Sequence, residues 1–384
     1  MSRKSGSGPR AKTKDQQQMT NLARKYRPTK LKDLLGQEAL VTVVKAAIET
    51  DKLAQAYILT GVRGVGKTST ARIIARSVNC ENGPTIEPCG TCRSCKEISN
   101  DASLDVVEMD AASQNGVQDM RELIENISYA PMTRGARKIY IIDEAHMLST
   151  PAWNALLKTL EEPPAHVMFI FATTEPRKIP PTIQSRCQKF SLRRIERDVI
   201  AGHLSKVAQA EAASLGEGVA QTIAQAGEGS MRDALSILDQ AISGSGGATV
   251  SLEHVREMIG RATPKAMIDA LAAIVSGKPA EAMRRWRAVV ASGVDPIVAL
   301  DDLIGLFHFA TLAGYDPELL SDSGLSPEDG ERLKRINTAV GLAKISGAQK
   351  MLFEARSPAA ANPSRDQAVE ILILRLTHGF AKKS

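Results

Sequence analysis

Residues 61–68 read Gly61-Val62-Arg63-Gly64-Val65-Gly66-Lys67-Thr68. The flanks decide how this stretch folds. Ala56–Thr60 before it is a short apolar run that reads as a buried strand, and Ser69–Val78 after it reads as a helix. The three glycines let backbone N–H groups turn inward and line a concave anion site. The start of the helix adds the positive end of its dipole. Lys67 puts a point charge on the β- and γ-phosphates of a nucleotide, and Thr68 offers a hydroxyl to Mg²⁺. A glycine-rich turn with a chance lysine is the competing reading, and the complete eight-residue match to the phosphate-loop pattern Gly-x-x-x-x-Gly-Lys-Ser/Thr in this context leaves it little room. Gly61, Gly64, Val65, Gly66, Lys67, Thr68 and Ser69 are therefore candidate nucleotide-binding residues.

Working outward, a second apolar run ends in two acids: Ile139-Tyr140-Ile141-Ile142-Asp143-Glu144-Ala145-His146. A buried strand would deliver both carboxylates at its exposed C-terminal end. Asp143 suits a magnesium ligand, direct or through water. Glu144 suits a general base that orients and deprotonates an attacking water.

The same alternation extends over residues 21–192. Tyr57–Thr60, Leu104–Met109, Ile139–Ile142 and Val167–Ala172 read as buried strands, with amphipathic stretches between them. That pattern predicts an α/β domain with a parallel sheet covered on both faces. From 193 the strand signal stops. Helical periodicity broken by Gly216–Gly218, Gly227–Gly229 and Gly244–Gly247 predicts a helical domain over 193–260. A further all-α domain is expected over 261–384. There Val294, Ile297, Leu300, Leu303, Ile304 and Phe307 share one helix face. Val369–Leu376 is apolar on nearly every side, so its helix is expected to be surrounded, by its own domain or by other subunits.

Residues 1–20 are polar, with Arg3, Lys4, Arg10, Lys12 and Lys14 against Asp15, and are expected to be a disordered basic tail. This tail carries +4 of the formal +6, leaving +2 for the rest, so the body is not a generally basic nucleic-acid binder. Aromatic residues are only 4%, which argues against a single-strand binder built on base stacking. No uninterrupted apolar run is long enough to span a bilayer and no apolar stretch follows the basic start, so a cytoplasmic protein without membrane contact is expected.

Four of the five cysteines form Cys80-x8-Cys89-x2-Cys92-x2-Cys95 in a loop with Gly83, Pro84, Pro88 and Gly90. A reducing compartment disfavours disulfides, and four thiolates this close suit a structural zinc with no open coordination position. Cys187 stands apart and is expected to be buried beside Arg186. Ser113, Asn115 and Gly116 precede a helical stretch, Val117–Ile127. They could cradle a DNA phosphate or simply cap the helix. Lys158 could face DNA or solvent.

A series of motifs carries a resemblance. Asp143-Glu144-Ala145-His146-Met147-Leu148 is followed by Asn154-Ala155-Leu156-Leu157-Lys158-Thr159-Leu160-Glu161-Glu162-Pro163-Pro164. Phe171-Ala172-Thr173-Thr174, Ser185-Arg186-Cys187 and Gly229-Ser230-Met231-Arg232-Asp233 come next, and Ala23-Arg24-Lys25-Tyr26-Arg27-Pro28 opens the series. In this order they resemble the gamma/tau family of clamp-loader ATPases of bacterial DNA polymerase III, within the AAA+ class. The likeness is dense to about residue 240 and thin after 260.

The resemblance implies an α/β P-loop AAA+ domain, a helical lid and a C-terminal helical collar. It implies ATP, Mg²⁺ and a zinc held by Cys80, Cys89, Cys92 and Cys95. It implies that Thr174, with Thr173 as runner-up, senses the γ-phosphate or the water. Arg186 would be a finger reaching the ATP of a neighbouring subunit, Arg232 would contact phosphate in its own subunit, and Tyr26 and Arg27 would lie near the adenine. The implied partners are delta- and delta-prime-type subunits and further copies of the chain in a hetero-pentamer, the beta sliding clamp, and primer-template DNA. The implied activity is clamp loading driven by ATP hydrolysis. Two other readings stay open: another AAA+ motor, such as a branch-migration helicase or helicase loader, and a non-hydrolysing scaffold with a relic phosphate loop.

Overall fold

The computed structural model describes residues 21–133, 135–316, 319–320 and 325–381. The tail at 1–20 and the last three residues of the expected C-terminal domain lie outside them. The chain forms two compact units. One runs to Ile195 and adds Ser230–Asp239; the other takes Glu196–Gly229 and resumes at Gln240.

The first unit is built on five strands: β1 (Ala56–Thr60), β2 (Val106–Asp110), β3 (Lys138–Asp143), β4 (Val167–Thr173) and β5 (Gln188–Ser191). Their order across the sheet is β2-β3-β4-β1-β5, and every pairing is parallel. The central runs are continuously apolar because both faces are covered. Tyr57, Leu59, Ile139, Ile141, Met168 and Ile170 point to one core, shared with Val44 and Ile48 of α2 (Glu38–Glu49) and Ile73 and Ile74 of α3 (Lys67–Asn79). Ile58, Tyr140, Ile142, Phe169 and Phe171 point to the other. They meet Leu123 of α5 (Val117–Ile127) and Trp153 and Leu156 of α6 (Thr150–Glu161). Phe169 stacks between Tyr140 and Phe171, with ring centroids 5.6 and 5.9 Å apart.

The edges depart from expectation. The run Leu104–Met109 yields a strand only from Val106, and Leu104 is 67% exposed. As an edge strand, β2 is covered on one side only. The other edge, β5, is Gln-Lys-Phe-Ser and has no apolar signature. It is held by main-chain pairing to β1 and by Phe190 stacking on Tyr57.

The second unit is helical: α8 (Arg197–Ala210), α9 (Val219–Ala226), α11 (Leu252–Met258), α12 (Pro264–Val275), α13 (Pro279–Ala291), α14 (Pro296–Tyr315), α15 (Pro327–Val340), α16 (Leu342–Ala361) and α17 (Arg365–Phe380). Helix α10 (Met231–Gly244) contributes residues to both units. Trp286, Leu300, Leu303, Phe307, Leu333, Ile345, Val369 and Ile373 form one core, which also takes in Val294, Ile297 and Ile304. Helix α14 is long and apolar enough to cross a membrane by length and composition alone. It carries Asp301, which accepts two hydrogen bonds from Arg356, and its apolar residues line this core.

Helix α17 is covered by its own domain on one face only. Val369, Ile373 and Leu376 are buried on one face, whereas Ile371 is 52% and Leu374 39% exposed.

The two tryptophans divide between the units, Trp153 in one core and Trp286 in another. Phe169→Ala in a Trp286→Phe background is expected to lower the urea midpoint reported by Trp153 fluorescence. A cost of about 3–5 kcal/mol follows from truncating a fully buried ring. An unmoved Trp153 transition would contradict the packing of this core.

Candidate nucleotide site and cysteine cluster

The loop between β1 and α3 is shaped by glycines in left-handed conformations. Gly64 has φ +77°, and a β-carbon there would collide with the Ser230 side chain. Gly66 has φ +100° with open space around it, so the backbone conformation alone demands glycine. Val65 between them is buried and anchors the loop in the core. Lys67 opens α3 and is only 6% exposed. Its ammonium donates to the carbonyls of Gly61 and Val62, both at 3.0 Å. Burial pushes its pKa down, and Glu144 and Asp143 oppose that shift. A nearly buried ammonium that donates to carbonyls is a cation suited to an anion.

The next residue ties the loop to the acids. Thr68 Oγ1 donates to Asp143 Oδ2 at 2.5 Å. Ser69 Oγ accepts from Arg27 Nε at 2.8 Å, which fixes Arg27 against the first turn of α3. Burial, then Arg72 and, more weakly, Arg232, lower the Arg27 pKa, so cations gather here. Arg72 is matched by Glu108 and Asp101. Arg232 N–H donates to the Gly64 carbonyl at 3.4 Å, which places the start of α10 beside the loop. Tyr26 precedes Arg27, with the Lys25 ammonium 5.6 Å from its ring.

Asp143 ends β3, two strands from β1 with β4 between them. Ligands of open parallel sheets sit outside the carboxyl ends of the strands, where these residues lie. Glu144 adopts a left-handed backbone (φ 45°, ψ 41°) and donates its N–H to Asp143 Oδ1 at 2.9 Å. Its Oε2 is shielded from solvent and accepts no hydrogen bond, with His146 Nδ1 nearby at 3.5 Å. A shielded oxygen free to accept a proton fits a general base. Oxygen donors from Thr68 and Asp143 fit Mg²⁺. Thr68, Lys67 and the glycine loop fit the phosphates it accompanies.

His146 received no role from the sequence. Its side chain is 8% exposed, its Nδ1 lies 3.1 Å from Thr173 Oγ1, and its Nε2 lies 3.4 Å from Glu175 Oε1. It links the ends of β3 and β4, and its place three residues after Asp143 was the available signal. Thr173 Oγ1 also accepts from Glu175 N–H at 3.0 Å, so that hydroxyl is engaged. Thr174, the next residue, is half-buried.

Other candidates lie elsewhere. Arg186 contacts Glu161 (2.5 Å), the Thr182 carbonyl (2.6 Å) and Ser185, none of them in the phosphate loop. Cys187 beside it is half-buried against the Trp153 core, and burial pushes its thiol up to about 12. Ser113 Oγ donates to the Asp110 carbonyl, and the Asn115 carbonyl accepts from Ser149 N–H. Gly116 N–H donates to Asp119 Oδ2 at 2.9 Å, so a carboxylate of the helix's own first turn takes that donor. Lys158 is exposed on α6.

The cysteine cluster grows from the far end of α3. Cys80 caps that helix, and Thr85 N–H returns to the Ser77 carbonyl. Cys92 caps α4 (Arg93–Ser99) by accepting from Cys95 N–H. The sulfurs of Cys80, Cys89, Cys92 and Cys95 all lie within 4.8 Å of one another, and none forms a disulfide. Tetrahedral zinc with Zn–S near 2.3 Å sets sulfurs about 3.8 Å apart, so a small contraction suffices and the residues fit the metal. Backbone N–H groups of Cys92 and Thr91 pull the Cys89 thiol down to about 6, while burial pushes Cys95 up to about 12.

Three family models match successive parts of the chain. DNA polymerase III, delta subunit, matches residues 36–196. The ATPase lid domain of the DNA polymerase III clamp loader subunit matches 199–247, and domain III of DNA polymerase III subunits gamma and tau matches 250–383. Among solved structures, the Thermotoga maritima RuvB Holliday junction branch migration motor aligns with 70% of this chain and 86% of that chain, at TM-score 0.47 and 19% identity. The DNA polymerase III subunit tau of Escherichia coli K12 is 38% identical over 354 residues, 92% of this chain and 54% of that protein. The subunit tau of Bacillus subtilis 168 is 44% identical over 295 residues, 77% of this chain and 52% of that protein. The chain spans about half the length of these curated relatives. With gamma/tau similarity running through nearly all the described residues, the chain belongs to the gamma/tau family of DNA polymerase III subunits.

Proposed function

We propose that the chain is an ATP-hydrolysing motor subunit of a replicative clamp loader. The observation that carries this reading is the Thr68–Asp143 hydrogen bond, which joins a phosphate loop to a magnesium-binding acid. Lys67 and the N–H groups of Gly64–Thr68 hold the β- and γ-phosphates. Mg²⁺, when bound to Thr68 and Asp143, offsets charge on the phosphate oxygens. Glu144 takes the proton of the attacking water. Thr174 is the sensor of the γ-phosphate, since the Thr173 hydroxyl is committed to His146 and Glu175 N–H. Arg232, beside Gly64, touches phosphate in its own subunit. Tyr26 and Arg27 line the nucleoside side of the loop.

Arg186 acts in trans. Exposed, and tethered among the described residues to Glu161, Thr182 and Ser185, it is available to an ATP on a neighbouring subunit. The domain division that goes with this reading is 21–192 for the ATPase, 193–260 for the lid and 261–384 for the collar. The exposed Ile371 and Leu374 suit a collar that packs against other subunits. Partners are delta- and delta-prime-type subunits, further copies of the chain, a beta-type sliding clamp and primer-template DNA, all in the cytoplasm. Cys80, Cys89, Cys92 and Cys95 hold one structural zinc.

The assembly, reconstituted with its partner subunits, is expected to hydrolyse ATP faster when primed DNA and clamp are added. Arg186→Ala is expected to bind ATP but lose about 10³-fold or more in turnover, the scale of an arginine finger. Turnover indifferent to both DNA and clamp would contradict the proposal.

Metal analysis of the purified chain, by zinc released to a colorimetric chelator after thiol modification, is expected to give one zinc per chain. Cys89→Ser should abolish it.

For DNA, Lys158→Ala is expected to weaken binding equally across sequences. It should also reduce the slope of log K against log salt by about 1, the signature of one lost phosphate contact. An unchanged slope would place Lys158 on a solvent face.

A further inference from the structure

Arg76 lies in the last turn of α3, one turn before Cys80. It is 7% exposed, and its Nε is shielded with no hydrogen-bond partner. Other cations around the cysteine loop have carboxylates or water: Arg93 pairs with Glu97, Lys30 and Lys32 with Glu87, and Arg72 with Asp101 and Glu108, while Lys96 is exposed to solvent. Among the described residues Arg76 is matched by no such carboxylate. A guanidinium cannot shed its proton, so burying it without an anion is costly. Its surroundings supply a candidate. A β-carbon placed on Gly90 would stand 3.3 Å from Arg76 Nη2. Gly90 itself, at φ +73°, turns its N–H toward the Cys95 sulfur. The guanidinium therefore abuts the turn that joins Cys89 to Cys92.

Four thiolates around Zn²⁺ form a doubly negative group, which in a partly buried loop needs positive charge nearby. We propose that Arg76 is the charge partner of the four-cysteine zinc site, a positioning residue that binds no metal itself but holds the anionic cluster against the end of α3. It rests on the zinc reading above. The arrangement also explains Gly90: a side chain there would push the guanidinium away from the loop.

The test is zinc competition against a chelator of known affinity, on the full chain, for wild type, Arg76→Lys and Arg76→Met. Arg76→Met is expected to hold zinc about 10- to 100-fold more weakly, the usual scale for residues that support metal ligands. Arg76→Lys should remain close to wild type, because it keeps the charge. If Arg76→Met does not fold, judged by Trp153 fluorescence in a Trp286→Phe background, Arg76→Gln takes its place with the same expectation. A neutral variant that holds zinc as tightly as wild type overturns the proposal while leaving the zinc site standing. So does a lysine variant as weak as the neutral one, since packing rather than charge would then matter. A wild-type chain that binds no zinc overturns the zinc reading and this proposal together.

Discussion

The hydrogen bond from Thr68 to Asp143 ties the first turn of α3 to the tip of β3. These elements start from strands that are not neighbours, because β4 lies between β1 and β3. The order of the sheet thus sets a gap at the carboxyl ends, and the bond spans it. Lys67, Thr68, Asp143 and Glu144 face one another only while that order holds. Both layers of helices serve this end, because the paired cores on the two faces fix the three central strands in register.

Helix α3 is a shared beam. Its thirteen residues span about 20 Å at 1.5 Å per residue. Lys67 and Thr68 stand at one end, Arg76 and Cys80 at the other. The helix is buried along most of its length, including Thr70, Ser77 and Asn79. Asn79 exchanges two hydrogen bonds with the Arg137 backbone just before β3. Its far end is therefore secured to the same strand that its near end meets through Asp143. The cysteine cluster sits at the C-terminus of this helix, so a metal bound there would brace the end opposite the phosphate loop.

How much was legible in the sequence depended on whether a residue's job was local. The phosphate loop was, because glycine conformations, a following helix and Lys-Thr are all encoded within eight residues. The stretch 117–127 was, because its apolar spacing and the cap before it are local too, and it forms α5 with those bounds. The fully covered strands β1, β3 and β4 announced themselves by uninterrupted apolar runs. Strand β5 did not, since an edge strand held by main-chain pairing needs no apolar pattern. Leu104 read as strand but lies outside it, because an apolar residue beside an edge can stay uncovered. His146 was mute for a different reason. Its meaning comes from Thr173 and Glu175, nearly thirty residues away, brought together only by the pairing of β3 with β4. Arg76 was mute too: its spacing looks like any cationic helix position until the fold shows it buried with no carboxylate partner among the described residues.

The account turns on whether the cradle binds magnesium-ATP and uses Glu144 to activate water. The most direct measurement is a calorimetric titration of the chain with magnesium-ATP, paired with a turnover assay, for wild type, Lys67→Ala and Glu144→Gln. One site per chain is predicted, lost in Lys67→Ala. Glu144→Gln should bind as wild type while turnover falls about 10²- to 10⁴-fold, the range for removing a general base. Wild-type turnover in Glu144→Gln, or undiminished ATP binding by Lys67→Ala, would contradict the account.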